Sequence, residues 1–139
     1  MKTKIKLFLI IIIIACPALS SAQNQVSDTV KVDTRIALAE MLAKLPGPKG
    51  ERYERGMKKG TMEVLIYAPR GTDPQTPHDR DEVYVVMKGS GIFFDGKQRY
   101  PFKSGDVLFV PARTEHRFEK FTTDFVAWVI FYGPIGGEK

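Results

Sequence analysis

The order of apolar and polar positions divides the chain into one continuous apolar run near its start and a later series of short runs. Residues 7–15 are all apolar, and residues 1–6 before them carry three lysines and no acid. A basic start, an apolar run and small residues up to Ala22 are typical of an export signal. The run of nine apolar residues is shorter than the roughly 20 that a membrane-spanning helix needs. We therefore predict a signal peptide over residues 1–22, a periplasmic or secreted product, and no transmembrane span in the mature protein.

A second processing site competes with cleavage after Ala22. Residues 13–16 read Ile-Ile-Ala-Cys and resemble a bacterial lipobox, so the alternative is a protein anchored by lipid at Cys16. The chain contains one cysteine, and both routes leave the mature protein without a free thiol. Disulfides, cysteine nucleophiles and cysteine-ligated zinc are therefore excluded.

Between the predicted signal and residue 60, one segment has the spacing of a helix. Apolar side chains recur at the i, i+3, i+4 and i+7 positions of one helical face, namely Leu38, Met41, Leu42 and Leu45. Asp33 or Thr34 can cap the start, and Pro46 ends the pattern. We assign residues 23–60 to a leader and a short helix that packs on the main domain.

From residue 61 onward, short β-type runs alternate with turn residues. We predict six or seven strands, over residues 61–68, 82–87, 92–94, 98–102, 107–110, 116–118 and 125–132. Asp95 and Gly96 separate two of these runs as a two-residue hairpin turn. The runs have no helical pattern between them, which is typical of an antiparallel sandwich or barrel. Residues 61–135 are therefore predicted to form one all-β domain.

The charge of the whole chain overstates that of the mature protein. The 139 residues include 21 lysines and arginines and 16 acidic residues, which gives a net charge of +5. Residues 1–22 contain three lysines and no acid, so their removal lowers the net charge to +2. The remaining basic cluster is interrupted by acids and is predicted to be a solvated face: Arg52, Arg55, Lys58 and Lys59. We therefore predict no nucleic-acid partner.

The two histidines of the chain, His78 and His116, both lie in the β region. If a strand has already begun at His78, the spacing of four residues places its imidazole and the Glu82 carboxylate on the same face. His116 opens a later strand, which can be a neighbour in the sheet. Two imidazoles and one carboxylate suit Fe(II), Mn(II), Zn(II), Ni(II) or Cu(II) with coordination positions left open. We predict a divalent metal site at these three residues.

Other interpretations of the same region stay open. Glu82 can pair instead with Arg80 or Arg117, and each histidine can be a hydrogen-bonded structural residue. Alternation sends Asp81 away from the predicted ligands, so we predict a solvent-facing or turn carboxylate there.

The residues above resemble the two motifs of the cupin superfamily, whose members are small jelly-roll β-barrels. The first motif has two histidines two residues apart, a glutamate four after the second, and a glycine seven beyond it. Its last three positions match His78, Glu82 and Gly89, and the glycine, proline and histidine of the second motif match Gly105, Pro111 and His116. The resemblance, from about residue 62 to residue 134, implies an antiparallel jelly-roll β-barrel with a short N-terminal helix. Many cupins are dimers, so it also implies a homodimer.

The chain departs from these motifs at three positions. The first motif histidine falls on Thr76, a glycine of the second motif on Arg113, and its terminal asparagine on Lys120. The first departure reduces the implied four-ligand set to three. Gln75, one residue out of register, offers an amide oxygen in its place.

Four side chains are predicted to line a pocket beside the metal site. Gln75 and Thr76 precede His78, and Tyr84 and Phe118 lie two residues beyond Glu82 and His116. Because side chains two residues apart share a face of a strand, Tyr84 and Phe118 are expected to face the same interior. Ordinary barrel core is the alternative for these two aromatic residues.

We expect an exported cupin that holds a divalent metal in its pocket and binds or acts on a small organic molecule, with the reaction unspecified. If both histidines are ligands, no imidazole remains as a general base. One alternative is a non-catalytic binding module. The absence of the first motif histidine, at Thr76, favours this alternative. Another is a structural dimeric barrel without metal, in which the three side chains would point apart.

Overall fold

The computed structural model describes residues 34–139, so the predicted signal peptide, the alternative site at Cys16, the leader up to residue 32 and Asp33 lie outside this part. The elements are α1 (Leu38–Leu42), β1 (Tyr53–Lys59), β2 (Met62–Tyr67), β3 (Asp81–Lys88), β4 (Ser90–Phe94), β5 (Arg99–Lys103), β6 (Val107–Val110), β7 (Arg117–Glu119) and β8 (Val126–Tyr132). Within the described residues, no helix is both long and apolar enough to span a membrane.

The strands form two antiparallel sheets that pack on a shared core. The larger sheet has the order β1-β2-β8-β3-β6, and the smaller has the order β5-β4-β7. From β3 onward the chain passes repeatedly between the two sheets, as in a jelly roll. The buried core between the sheets is rich in aromatic residues, among them Tyr84, Phe93, Phe102, Phe118 and Phe125. The predicted all-β jelly-roll class with one short helix is confirmed, in the form of an open barrel.

Strand β1 was not predicted and lies within the segment assigned to the leader and helix. It pairs with β2 along the edge of the larger sheet, and its register shifts between Arg55 and Met57. The shift at Gly56 breaks the period of two, and the charged side chains of β1 hide the remaining pattern. A Cβ on Gly56 would lie 2.9 Å from Ile36 and 3.0 Å from Met41. Gly56 therefore allows the segment around α1 to pack against this strand.

Helix α1 is short and begins without a side-chain cap. Its N-cap is Ala37, so Thr34 does not fill that role. The buried side chain of Met41 packs with Ile66, Ala68 and Val126 on the face of the larger sheet that lies away from the barrel core. The helix therefore packs on the β domain as predicted, and it covers only one end of the outer face of the larger sheet.

Two neighbouring rows of side chains cross all five strands of the larger sheet. On the core side, the inner row consists of Lys58, Glu63, Phe131, Glu82 and Val110. On the opposite side, the outer row consists of Met57, Val64, Ile130, Val83 and Phe109. The inner row therefore carries three charged residues, and the outer row carries none.

Candidate metal centre

Three side chains meet at one point of the barrel interior. One ligand atom from each of His78, Glu82 and His116 lies within 4.8 Å of the others. Oε2 of Glu82 is 3.3 Å from Nε2 of His116 and 3.8 Å from Nε2 of His78. Atoms that bind one ion at about 2.1 Å lie about 3 to 4 Å apart. The spacing is therefore suitable for a single divalent cation.

The three side chains come from different parts of the fold. Glu82 lies on β3 in the larger sheet, and His116 directly precedes β7 in the smaller sheet. His78 lies in the loop before β3, which begins only at Asp81. The premise that a strand has begun at His78 is therefore wrong. Instead, the backbone N–H of Arg113 donates to the carbonyl oxygen of His78 at 2.6 Å and joins the loops before β3 and β7.

The orientation of the His116 ring is fixed by the backbone. Its Nδ1 lies 3.0 Å from the carbonyl oxygen of Thr114, and because a carbonyl only accepts, Nδ1 carries the proton. Nε2 therefore faces Glu82 and the hydroxyl of Tyr84, which is 3.1 Å away. Burial lowers the pKa of His116, but the Glu82 carboxylate and the Thr114 carbonyl outweigh burial and raise it. Ligating histidines are commonly oriented by such a bond.

Glu82 is a buried carboxylate without a compensating donor. Its side chain is 1% exposed, and neither oxygen has a hydrogen-bond partner among the described residues. Arg80 pairs with Glu63, and Arg117 donates to the backbone carbonyls of Gln75 and His116. The alternative pairing of Glu82 with either arginine is therefore not observed.

His78 Nε2 is likewise buried without a partner. Burial lowers the pKa of His78, and this effect outweighs the attraction of Glu82, so the imidazole tends to remain neutral. A neutral imidazole nitrogen and a carboxylate, both unpaired and buried, are costly unless a cation lies between them. The donor set present in the chain therefore fits a divalent metal.

A cavity of about 330 Å³ opens beside this cluster. Gln75, Thr76, His78 and Glu82 supply its polar wall, and the rest is mainly apolar and aromatic, including Phe131. The volume lies near the lower end of the range for small-molecule pockets, about 300 to 1,000 Å³. The cavity thus suits a small organic molecule.

Tyr84 and Phe118 lie beneath this cavity rather than on its wall. Both are buried in the aromatic core, and their rings meet edge to face at 4.9 Å. Only the hydroxyl of Tyr84 reaches the site, where it donates to Oε1 of Gln75 at 2.5 Å. Burial, reinforced by the charge of Glu82, raises the pKa of Tyr84, so the phenol keeps its proton.

Two carboxylates near the site have roles that the sequence did not indicate. Asp81 is 5% exposed rather than solvent-facing, because its oxygens accept from the backbone N–H groups of Ala112 and Glu138 at 2.8 Å. Asp73 accepts hydrogen bonds from the hydroxyl of Tyr67 and the amide of Gln75. The only sequence signal for Asp73 was its place in the polar loop before His78.

The departures from the motifs at Arg113 and Lys120 leave the backbone conformation intact. Arg113 has a φ of 64° and Lys120 a φ of 48°. Glycine and asparagine are the residues that enter this left-handed region most easily. Both residues therefore hold the conformation that the motif's own glycine and asparagine favour.

The fold agrees with the comparisons to known proteins. The family described as "Cupin domain" matches residues 63–132, and the chain belongs to this family. An uncharacterized protein of Streptomyces coelicolor is 33% identical over 84 residues, which are 59% of this chain and 80% of that protein. Acireductone dioxygenase 1 of Pectobacterium atrosepticum is 45% identical over 65 residues, which are 42% of this chain and 37% of that enzyme.

Solved structures share the fold. A protein of Photorhabdus luminescens superposes with a TM-score of 0.52 at 19% identity, over 58% of this chain and 73% of that one. A Cupin 2 conserved barrel domain protein from Salinispora arenicola gives a TM-score of 0.50 at 22% identity, over 58% and 74% of the two chains. At these identities the likeness concerns the fold alone.

Proposed function

We propose that this chain is an exported cupin that holds one divalent cation through His78, Glu82 and His116 and acts on a small organic molecule in the adjacent cavity. The observation that carries the proposal is the buried, unpaired carboxylate of Glu82 facing two imidazole nitrogens. A cation at this point would remove the cost of burying the Glu82 carboxylate and Nε2 of His78 without donors.

The chemistry of the site follows from the division of roles among its residues. A bound divalent metal supplies Lewis acidity or an activated oxygen species. Thr114 keeps the His116 ring in the orientation that presents Nε2, and a bound metal would engage both histidines as ligands. The chain has no third histidine, so proton transfer must use a carboxylate, a phenol or the substrate itself. The apolar part of the cavity wall favours a substrate that is itself partly apolar.

Two versions of this function differ in whether a reaction takes place. The stretch shared with acireductone dioxygenase 1 supports an oxygen-dependent enzyme, although the match covers 37% of that enzyme. The alternative, a binding module for a small ligand, is supported by Thr76, which stands on the cavity wall where the cupin motif has a histidine.

Metal analysis of the mature protein, purified without an affinity tag or added metal, tests the proposal. We expect about one equivalent of metal in the wild type and its loss in Glu82→Ala and His116→Ala, because either change leaves two of the three proposed ligands, whereas open metal sites commonly use three protein ligands. Glu115→Ala is the matched control, since Glu115 is exposed beside His116. Metal well below one equivalent in the wild type, unchanged in both ligand variants, would contradict the proposal. If metal is present, oxygen uptake with phenolic and sugar substrates separates the enzyme from the binding module.

The proposed export rests on the basic and apolar pattern of residues 1–15. Mass spectrometry of the protein from the native host tests it. A mature chain that begins at Gln23 supports cleavage after Ala22, and a lipid-modified Cys16 supports the anchored alternative. An intact N-terminus in the cytoplasmic fraction would contradict export.

We further propose a homodimer that buries the outer row. Phe109 and Val107 of the edge strand β6 are 52% and 64% exposed. The outer row has no charged residue, so two copies can meet across it without an unpaired charge. Sedimentation should give a dimer for the wild type and for Tyr100→Asp, which alters the other sheet, and a monomer for Phe109→Asp. A monomeric wild type, or a dimeric Phe109→Asp variant, would contradict this interface.

A further inference from the structure

The loop before His78 holds one side chain, Gln75, whose amide is oriented by hydrogen bonds at both ends. Nε2 of Gln75 donates to Oδ2 of Asp73 at 3.1 Å. A carboxylate only accepts, so the amino end of the amide must face Asp73 and the oxygen must face the opposite way. There, Oε1 of Gln75 lies 2.5 Å from the hydroxyl of Tyr84, on the side of the metal site.

Asp73 is itself held in place and therefore fixes Gln75 firmly. Its oxygens accept from the Tyr67 hydroxyl at 2.5 Å and from the backbone N–H of Phe118 at 2.7 Å. The backbone N–H of Gln75 also donates to Asp73, at 3.2 Å. Three donors outside the amide anchor the carboxylate, so rotation of the Gln75 side chain would break its bond to a fixed partner. The amide oxygen is thus oriented before any ligand binds.

The hydroxyl of Tyr84 lies between Gln75 and His116. It donates to Oε1 of Gln75 at 2.5 Å and lies 3.1 Å from Nε2 of His116. His116 is one of the three candidate metal ligands. The amide oxygen of Gln75 therefore faces the ligand cluster, and it keeps a second lone pair beside the one that accepts from Tyr84.

We propose that Gln75 is the fourth protein ligand of the metal site, with its amide oxygen in the role that the cupin motif gives to the histidine replaced here by Thr76. The inference rests on the proposed metal site. It makes the donor set two nitrogens and two oxygens, where three histidines and a glutamate would give three nitrogens and one oxygen. Oxygen donors suit Mn(II) better than they suit Cu(II) or Zn(II). The hydrogen bond from Gln75 to Asp73, which holds the amide oxygen in place, therefore helps to set the metal preference of the site.

Substitution of Gln75 tests the inference through spectra and affinity rather than through activity. In the Co(II)-loaded mature protein, we expect Gln75→Leu to change the visible absorption bands and to weaken Co(II) and Mn(II) binding by about tenfold or more. Gln75→Glu keeps a side-chain oxygen but removes the N–H that donates to Asp73 and places two carboxylates side by side, so its affinity for Mn(II) should fall between those of the wild type and Gln75→Leu. Gln98→Leu is the matched control, because Gln98 is exposed in the turn before β5, and it should behave as the wild type.

Tyr84→Phe separates a ligand from a residue that acts through the phenol. It removes the hydroxyl that contacts Gln75 and His116 but leaves the amide tethered to Asp73, so the Co(II) bands should stay close to those of the wild type. If Tyr84→Phe instead reproduces the spectrum and affinity of Gln75→Leu, Gln75 acts only through Tyr84 and the ligand role is overturned.

Two further results distinguish this inference from the proposed function. If Gln75→Leu binds Co(II) with the wild-type spectrum and affinity while His116→Ala loses the metal, the metal site stands and the role of Gln75 is overturned. If the wild type itself binds neither Co(II) nor Mn(II), the proposed metal site fails and the inference fails with it.

Discussion

Two buried carboxylates lie in the inner row on either side of Phe131, and their surroundings are opposite. Glu63 is 6% exposed and accepts from Arg55 at 2.8 Å, with Lys58 and Arg80 at 3.0 and 2.9 Å. Glu82 is 1% exposed and has no donor among the described residues. Since both side chains occupy equivalent positions of one sheet, burial alone does not explain the difference. The paired carboxylate stabilises the fold, whereas the unpaired one carries an uncompensated cost that the proposed metal ion would remove.

The largest effect is expected from the substitution that removes the charge of the unpaired carboxylate, Glu82. Glu82→Gln should weaken metal binding by about 100-fold or more, because even residues that only support a metal site contribute about 10- to 100-fold. Without metal, at pH 8, the same variant should raise the free energy of unfolding by about 1 kcal/mol, since an unpaired buried charge is lost. Urea unfolding in the presence of a chelator measures the second effect. A metal-free Glu82→Gln variant that is less stable than the metal-free wild type would mean that Glu82 is structural.

Glu63→Gln should have the opposite effects: it should lower the stability of the protein and leave metal binding unchanged. The variant leaves the partly buried guanidinium of Arg80 without its carboxylate, so the free energy of unfolding should fall by about 1 to 3 kcal/mol. Metal content should stay at the wild-type level, because Glu63 does not belong to the ligand cluster. Metal analysis measures the metal content of the variant, and urea unfolding measures its free energy of unfolding. Loss of metal without loss of stability would break the distinction between the two carboxylates.

The pH dependence of stability sharpens the role of Glu63. Burial alone would raise its pKa, but Lys58, Arg80 and Arg55 together lower it. The unfolded chain therefore takes up a proton at higher pH than the folded protein does, near the ordinary value of about 4.3. The stabilisation is complete above that value and is lost as the pH falls through the lower pKa of the folded state.

The difference in unfolding free energy between the wild type and Glu63→Gln, measured at pH 7, 5 and 3.5, isolates this contribution. Other carboxylates titrate in both proteins and largely cancel in the difference. We expect the difference to be constant between pH 7 and 5 and to shrink at pH 3.5. A difference that grows as the pH falls would contradict the lowered pKa of Glu63.

The smallest effect is expected at Arg113, whose backbone N–H supports His78 in the candidate metal centre that contains Glu82. Arg113 holds a φ of 64°, which costs a residue with a side chain about 1 to 2 kcal/mol, whereas glycine pays mainly in chain entropy. Arg113→Gly should therefore raise the free energy of unfolding by roughly 0.5 to 1 kcal/mol. Metal binding should not change, because the bond to His78 uses the backbone N–H. Lys97→Gly, in an exposed turn, is the control and should not stabilise the protein.

Most of the fold could be predicted from local pattern, because alternation of apolar residues identifies strands whose inner face is buried. Strand β1 was missed, since the bulge at Gly56 and the charges around it interrupt that alternation. The meeting of His78 and Glu82 was predicted from a strand that begins three residues too early, and the loop achieves the same proximity by another route.

The partners of the two carboxylates could not be predicted in the same way. The cations around Glu63 come from β1 and from the loop before β3, so their meeting depends on strand order. The acceptor that fixes Gln75 is set by hydrogen bonds from β2 and β7 to Asp73. Such contacts are tertiary, and sequence spacing does not record them.

The position of the candidate metal centre between the two sheets has a consequence for durability. Glu82 belongs to the larger sheet and His116 precedes a strand of the smaller one, so a shared ion would act as a removable cross-link in a chain whose single cysteine is Cys16. An ion that binds only the folded state stabilises it in proportion to the logarithm of its concentration. We therefore expect the resistance of this protein to proteolysis to rise with the concentration of the available metal.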